Sequence, residues 1–239
     1  GLTADVDPIL DICERHDLFL IEDAAEAIGQ TYKNRKCGSF GIISTTSFYA
    51  NKFITTGEGG MVFTNDSKIY EKICLSKNLG FNKDPGLRFI HHNIGWNARM
   101  TNIQAAIGCA QLNRYDKMIE KKRSIGLLYT ELLSQCNNLI LAPTATEYCE
   151  NLYWIFGVVV KDPRFTGEQI RVKLRELGID TRPFFYPLNL QPVLASQSED
   201  ESRSVSWKLY QDGLYLPSSY NLNESDIKFI AKTLIGIIQ

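Results

Sequence analysis

The pattern of apolar and polar positions changes near residue 123. Before it, short apolar runs alternate with polar and glycine-rich turns. Asp7-Pro8 is a helix-start signal, Asp as N-cap and Pro at the first helical position. The helix it opens extends to about His16, with Ile9, Leu10, Ile12 and Cys13 on or near one face. Leu18-Phe19-Leu20-Ile21 then reads as a strand buried on both faces, as in a parallel sheet. It runs into two carboxylates, Glu22 and Asp23. In open α/β sheets the carboxyl edge is where ligands bind. Lys33-Asn34-Arg35-Lys36 predicts a hairpin turn. Ser44 to Ala50 reads as a strand, followed by Lys52, the turn Gly57-Glu58-Gly59-Gly60 and a second strand from Met61 to Thr64. Asp66 caps a helix reaching about Asn78, and residues 80–99 form a long irregular stretch, a length that is usually functional.

Thr101 and Gln104 form a capping box for a helix expected to reach about Arg123, with helix continuing to Ser134 with or without a break. Beyond it the pattern is that of a smaller α+β unit. Leu152 to Val160 predicts a strand, and Thr166 with Gln169 a second capping box for a helix ending at Gly178. Ile179 to Arg182 reads as a short strand, Ser202 to Asp212 as a helix stopped by Gly213, Leu214 to Leu216 as a strand and Asn223 to Ile238 as a terminal helix.

Composition narrows the function classes. The chain has 239 residues, 44% apolar and 22% charged, with a net charge of -1. That balance gives no bulk electrostatic attraction to nucleic acid or membrane surfaces. No apolar run approaches the roughly 20 residues of a membrane span. The start, Gly1-Leu2-Thr3-Ala4-Asp5, lacks the basic and apolar regions of a signal peptide. The six cysteines are scattered without a C-x-x-C pair, which argues against a zinc site or disulfide framework and fits a reducing cytoplasm. The adjacent His91-His92 does not make a metal site, because neighbouring residues do not face one point. The glycine turn matches neither G-x-G-x-x-G nor a P-loop, so a nicotinamide-dependent enzyme is not supported.

Four motifs stand in order: Ile21-Glu22-Asp23-Ala24-Ala25-Glu26-Ala27, then Ser47-Phe48-Tyr49-x-x-Lys52, then Gly57-Glu58-Gly59-Gly60, then Gly95-Trp96-Asn97-Ala98-Arg99-Met100. Together they resemble the DegT/DnrJ/EryC1/StrS sugar aminotransferases, which use pyridoxal 5'-phosphate (PLP). Thr181-Arg182-Pro183-Phe184-Phe185-Tyr186-Pro187-Leu188 resembles the branch that makes 4-amino sugars, of the perosamine synthase kind. The fold implied is α/β: part of a PLP type I large domain with a mostly parallel sheet over residues 1–122, then a small α+β domain over 123–239.

The resemblance also implies roles. Lys52 is expected to be the Schiff-base lysine, Asp23 the partner of the pyridine nitrogen and Ser47 a phosphate ligand. Glu26 falls where relatives carry a residue packed against the cofactor. Asn97 is expected to reach the phosphate of a cofactor held by a second subunit, which implies a homodimer with shared sites. Tyr186 and Asn189 fall in the region expected to contact the sugar nucleotide, where relatives commonly carry histidine at the Asn189 position. Physical chemistry asks for the same residue types. A Schiff-base amine must lose its proton, and a carboxylate keeps the ring nitrogen protonated so that the ring can act as an electron sink.

The reaction implied moves an amino group from glutamate to a nucleotide-linked 4-keto-6-deoxy sugar, for surface polysaccharide or glycan biosynthesis in the cytoplasm. A sugar 3-aminotransferase is the near rival, and a non-catalytic sensor or partner protein is a rival of another class. Lys52 argues against the related dehydratases, which carry histidine there. Relatives also have a segment ahead of Gly1, with a phosphate-binding loop and a ring-stacking aromatic. This chain is therefore expected to be N-terminally truncated, poorly soluble and weak in PLP binding by itself.

Overall fold

The computed structural model describes residues 1–197 and 204–239. The chain divides into two compact units, Leu2–Lys117 and, together with Gly1, Met118–Gln239.

In the first unit, helix α1 (Val6–Arg15) starts from Asp5 rather than Asp7. The reason is a competing use of Asp7, whose carboxylate takes the Lys33 ammonium at 2.6 Å. Asp5 in turn accepts the Tyr32 hydroxyl at 2.6 Å. Both bonds come from the hairpin β2 (Thr31–Tyr32) and β3 (Arg35–Lys36). Its two-residue loop, Lys33-Asn34, has positive φ at both positions, the turn whose twist matches antiparallel strands.

The sheet of this unit has the order β1-β4-β5: β1 (Ile21–Asp23), β4 (Ile43–Ser47) and β5 (Gly60–Phe63). β1 and β4 are parallel, with Asp23 level with Thr45. β4 and β5 are antiparallel, with Ser47 level with Gly60. One of the two pairings is thus parallel, as the apolar run ahead of Glu22 predicts, and the other is antiparallel. The connection after β4 folds back on itself, through Phe48 N–H to Gly59 O and Thr56 N–H to Phe48 O, both 2.9 Å, and returns alongside the same strand. A parallel neighbour needs a long crossover instead.

The run Leu18–Ile21 differs from expectation too. Only Ile21 belongs to the strand, and Phe19 is 81% and Ile21 68% exposed. β1 lies at the edge of this three-stranded sheet. Helix α2 (Ser67–Ser76) is capped by Asp66, whose carboxylate accepts the amides of Lys68 and Ile69. Helix α3 (Asn102–Leu112) has the expected Thr101–Gln104 capping box. It stops at Asn113, and α4 (Tyr115–Leu133) follows after a short break.

The second unit is built on a four-stranded antiparallel sheet in the order β6-β7-β9-β8. The strands are β6 (Leu139–Leu141), β7 (Phe156–Val160), β8 (Arg182–Pro183) and β9 (Gly213–Leu216). β7 alternates in burial, with Phe156, Val158 and Val160 inward, the period-two signature of a half-covered sheet. It is shorter than the predicted 152–160, because the Asn151 side chain captures the Tyr153 amide at 2.8 Å and turns the chain there. β6 has only three residues and is not foreseen by the pattern.

Helices α5 (Gly167–Glu176), α6 (Val205–Asp212) and α7 (Glu224–Ile238) complete this unit. The first two residues of the helix predicted from Ser202 lie outside the described residues. Ile125, Tyr129 and Leu133 on α4, Ile170 and Leu174 on α5, and Ile227, Ile230 and Leu234 on α7 join the inward faces of β7 and β9 in one core. Their spacing of three and four residues puts each set on one helical face.

Candidate active site

Strand alternation separates the two carboxylates at the end of β1. Glu22 and Ser44 are in register and share a face. There the Glu22 carboxylate accepts the amides of Gly38 and Phe40, and the Ser44 hydroxyl donates to Gly38 O. Glu22 therefore holds the 38–40 loop. Asp23 lies on the other face, level with Thr45 and two residues short of Ser47. Its Oδ1 accepts the Ala25 amide at 3.0 Å, and it is exposed at the carboxyl edge of the sheet. Its second oxygen has no protein partner among the described residues.

Lys52 lies in the connection that follows β4. Its amide donates to Tyr49 O at 3.0 Å, and the next two residues, Phe53 and Ile54, are buried. Their burial anchors the backbone and draws the lysine stem in, so that its side chain is only 9% exposed. The ammonium meets Glu26 Oε1 at 2.6 Å. A lysine drawn in to this extent is uncommon without a paired acid. Glu26 is thus brought to Lys52 across 26 residues of sequence.

The Ser47 hydroxyl accepts the Tyr49 amide at 3.2 Å and donates to no described residue. Gly59 has φ +146°, and a Cβ there would meet Thr56 Oγ1 at 2.6 Å and Met100 Cε at 3.3 Å. Only glycine leaves that turn its shape. Asn97 pairs with Asn78 in an isolated antiparallel bridge, and its Oδ1 accepts Arg99 Nε at 2.9 Å. It is exposed and makes no described contact with Lys52, Asp23 or Ser47.

Tyr186 and Asn189 belong to the second unit. The Tyr186 ring packs edge-on against Trp207 and Tyr210, at 6.0 and 5.0 Å, and Asn189 lies in a 3-10 turn from Leu188 to Leu190. A cleft of about 1010 Å³ in the first unit is lined by Met61, Val62, Phe63 and Tyr70 among others, but by none of Asp23, Glu26, Ser47 or Lys52. It follows the apolar side of β5 rather than the chemistry. Among the described residues no group of acidic, histidine or cysteine side chains is placed to hold a metal ion.

Sequence reading missed the long-range bonds by which three polar residues fix these loops: Gln104, Gln111 and Tyr115. Each bonds to backbone far away in sequence, and no local pattern signals such a bond.

This α/β architecture, with an inward-drawn lysine side chain and two carboxylates near the carboxyl edge of a sheet, matches a known class. The chain belongs to the DegT/DnrJ/EryC1/StrS aminotransferase family, whose profile matches residues 1–235. It is similar to GDP-perosamine synthase of Caulobacter vibrioides, 39% identical over 239 residues, covering 100% of this chain and 64% of that protein. It is also 32% identical over 240 residues to EpsN of Bacillus subtilis, whose name places it provisionally among pyridoxal phosphate-dependent aminotransferases; that match covers 99% of this chain and 61% of EpsN. Among solved structures, Helicobacter pylori PseC, an aminotransferase involved in the biosynthesis of pseudoaminic acid, has a TM-score of 0.89 at 25% identity. It covers 99% of this chain and 64% of PseC. The expected type I aminotransferase fold is therefore present. The chain spans 61–64% of the length of these three relatives.

Proposed function

We propose that this chain supplies the lysine-bearing half of a PLP-dependent sugar aminotransferase. The reaction is transfer of an amino group from glutamate to a nucleotide-linked 4-keto-6-deoxy sugar, in cytoplasmic biosynthesis of surface glycans. The observation that carries it is the Lys52–Glu26 pair, an inward-drawn amine held at 2.6 Å by an acid. The perosamine synthase likeness and the 4-amino-sugar motif at 181–188 support the choice of sugar.

The residues fit the cofactor in their donor and acceptor chemistry. Asp23 offers a free carboxylate oxygen for a protonated ring nitrogen, and Ser47 offers a hydroxyl proton for a phosphate. Lys52 offers the amine that bonds the cofactor's aldehyde carbon. When bound, PLP supplies an electron sink for a carbanion next to nitrogen. Glu26 holds and orients the Lys52 ammonium, and a carboxylate at that distance can take the proton that Nζ must lose before it attacks carbon. Once free of that proton, Lys52 Nζ would serve as the base that carries a proton to and from the reacting carbon. Asp23 stands exposed at the sheet edge in this chain. Asn97 reaches a phosphate across a homodimer interface, and Tyr186 and Asn189 contact the sugar nucleotide.

The test is borohydride trapping of PLP followed by peptide mass spectrometry, with amino transfer from glutamate scored against GDP-, UDP- and dTDP-linked keto sugars. The chain is assayed alone and joined to the upstream segment that the relatives carry. Trapping at Lys52 with turnover of a 4-keto sugar is expected. Turnover of 3-keto sugars would move the assignment to the rival position on the ring. A folded, extended protein that traps nothing would leave the non-catalytic reading.

A further inference from the structure

We infer that Gln111 is a positioning residue for Lys52, the centre of a polar clamp with Gln104 and Tyr115. This rests on Lys52 being the reactive amine proposed above. The lysine sits in a connection from Phe48 to Gly59 that is neither helix nor strand. Backbone bonds close that loop where it leaves and rejoins the sheet, at Phe48, Thr56 and Gly59, and turn it at Lys52 N–H to Tyr49 O. Within the loop the Thr55 hydroxyl donates to Phe48 O, and the carboxamide of Gln111 ties that same residue to α3. Oε1 accepts the Thr55 amide at 3.1 Å, and Nε2 donates to Thr55 O at 2.6 Å. A single side-chain amide thus reads both polar groups of one residue, as a neighbouring strand would. Thr55 is three residues from Lys52, and the two between them are the buried Phe53 and Ile54.

Gln104 repeats the grip seven residues earlier on α3, two turns back and on the same face. Its Nε2 donates to Glu58 O at 3.1 Å while its Oε1 completes the capping box with Thr101. Four residues beyond Gln111, the Tyr115 hydroxyl donates to Ile28 O, two residues past Glu26. Gly29 has φ +80°, and a Cβ there would overlap that hydroxyl. One stretch of chain, 104–115, therefore grips both the loop that carries Lys52 and the loop that carries its carboxylate partner. Polar bonds to α3 and to the start of α4 thus help to set the separation of Nζ from Glu26, beside the burial of Phe53 and Ile54. Displacements of about 1 Å in a reacting group can cost two orders of magnitude in rate.

The experiment uses the 239-residue chain without cofactor, carrying Gln111→Met, which keeps the length and removes both bonds, or Gln111→Glu, which keeps only the acceptor for the Thr55 amide. Hydrogen exchange at Thr55 and competitive anhydride labelling of Lys52 relative to Lys68 are read together, with circular dichroism for fold. Gln111→Met is expected to speed Thr55 exchange about tenfold and to change Lys52 labelling at least threefold; Gln111→Glu gives a smaller change in both. Tyr115→Phe, which releases Ile28 O alone, is expected to change Lys52 labelling in the same direction if Gln111→Met does not fold. Faster Thr55 exchange with unchanged Lys52 labelling in every variant would make the clamp purely structural and overturn the inference. So would no change in either. PLP trapping at Lys52 in the unsubstituted, upstream-extended protein is the separate arm. Its failure beside altered labelling removes the proposed reaction and leaves the positioning role standing.

Discussion

The two units hold themselves together by different means. In Met118–Gln239 a contiguous apolar core joins three helices to the sheet, and Tyr129, Leu133, Leu174, Leu214 and Leu234 are fully buried. In Leu2–Lys117 the buried apolar side chains are Ala24, Tyr32, Phe53 and Ile54, joined by the polar Gln30, Ser44, Thr46 and Thr56. Its large apolar groups, among them Phe19, Phe63, Trp96 and Ile103, face outward. Shape there is set by side chains that bond distant backbone: Glu22 to the 38–40 loop, Gln111 to Thr55, Tyr115 to Ile28. Apolar burial is non-directional and gives stability, whereas hydrogen bonds are directional and place atoms. In the unit with the chemistry such bonds stand around a small apolar core, whereas in the second unit they are added, as at Tyr129 and Asn138, to a large one.

Substitutions can break or sharpen this contrast. The largest effect is expected at Lys52. In the upstream-extended protein, Lys52→Ala should lower amino transfer by more than about 10³-fold, as loss of a nucleophile and proton carrier does, with unchanged circular dichroism. Next comes Leu234→Ala in the second core, expected to cost about 3 kcal/mol in urea unfolding. Equal loss from Phe63→Ala on the exposed face of β5 would erase the distinction between the units.

The third effect is a pH dependence. Lys122 is buried in the second unit and donates to Trp154 O at 2.9 Å, Ser218 O at 2.6 Å and Ser218 Oγ at 3.0 Å. Burial lowers its pKa to about 8 from the ordinary 10.5. Between those values the unfolded chain binds more protons than the native one, so stability should rise with pH across that window and not below it. The full rise is about 3 kcal/mol, and Lys122→Met should remove the slope. Fourth, Thr166→Ala loses the cap on the Gln169 amide and should cost about 1 kcal/mol. The smallest effect is at Phe19, where Phe19→Ser should change stability by less than about 0.5 kcal/mol while raising the concentration at which the chain stays in solution.

Much of the local structure was legible. The capping boxes at Thr101 and Thr166 and the caps at Asp66 and Asn223 each act within three residues, so a short window of sequence contains all the atoms involved. The Lys33-Asn34 turn is local in the same way. The start of α1 was misread because Asp7 is claimed by Lys33, 26 residues away. The strand at Leu152 was misread because an Asn151 turn outcompetes an apolar run. The parallel direction of β1 was legible from its apolar run, whereas the antiparallel return of β5 depends on the path of the connection ahead of it.

The candidate site divides along the same line. The sequence alone determined which residue types are available: a lysine after a hydroxyl-rich strand, acids at the end of the strand before it, a glycine turn that tolerates φ +146° at Gly59. It also determined, by motif order, the family to which the chain belongs. Only the tertiary structure decided that Glu22 is spent on the 38–40 loop while Asp23 keeps a free oxygen, because strand alternation puts neighbours on opposite faces. Only it brought Glu26 to Lys52, and Gln111 to Thr55 across 56 residues. A hydrogen bond acts over about 3 Å, so its partners are fixed by where the folded chain returns, not by what stands next in the sequence.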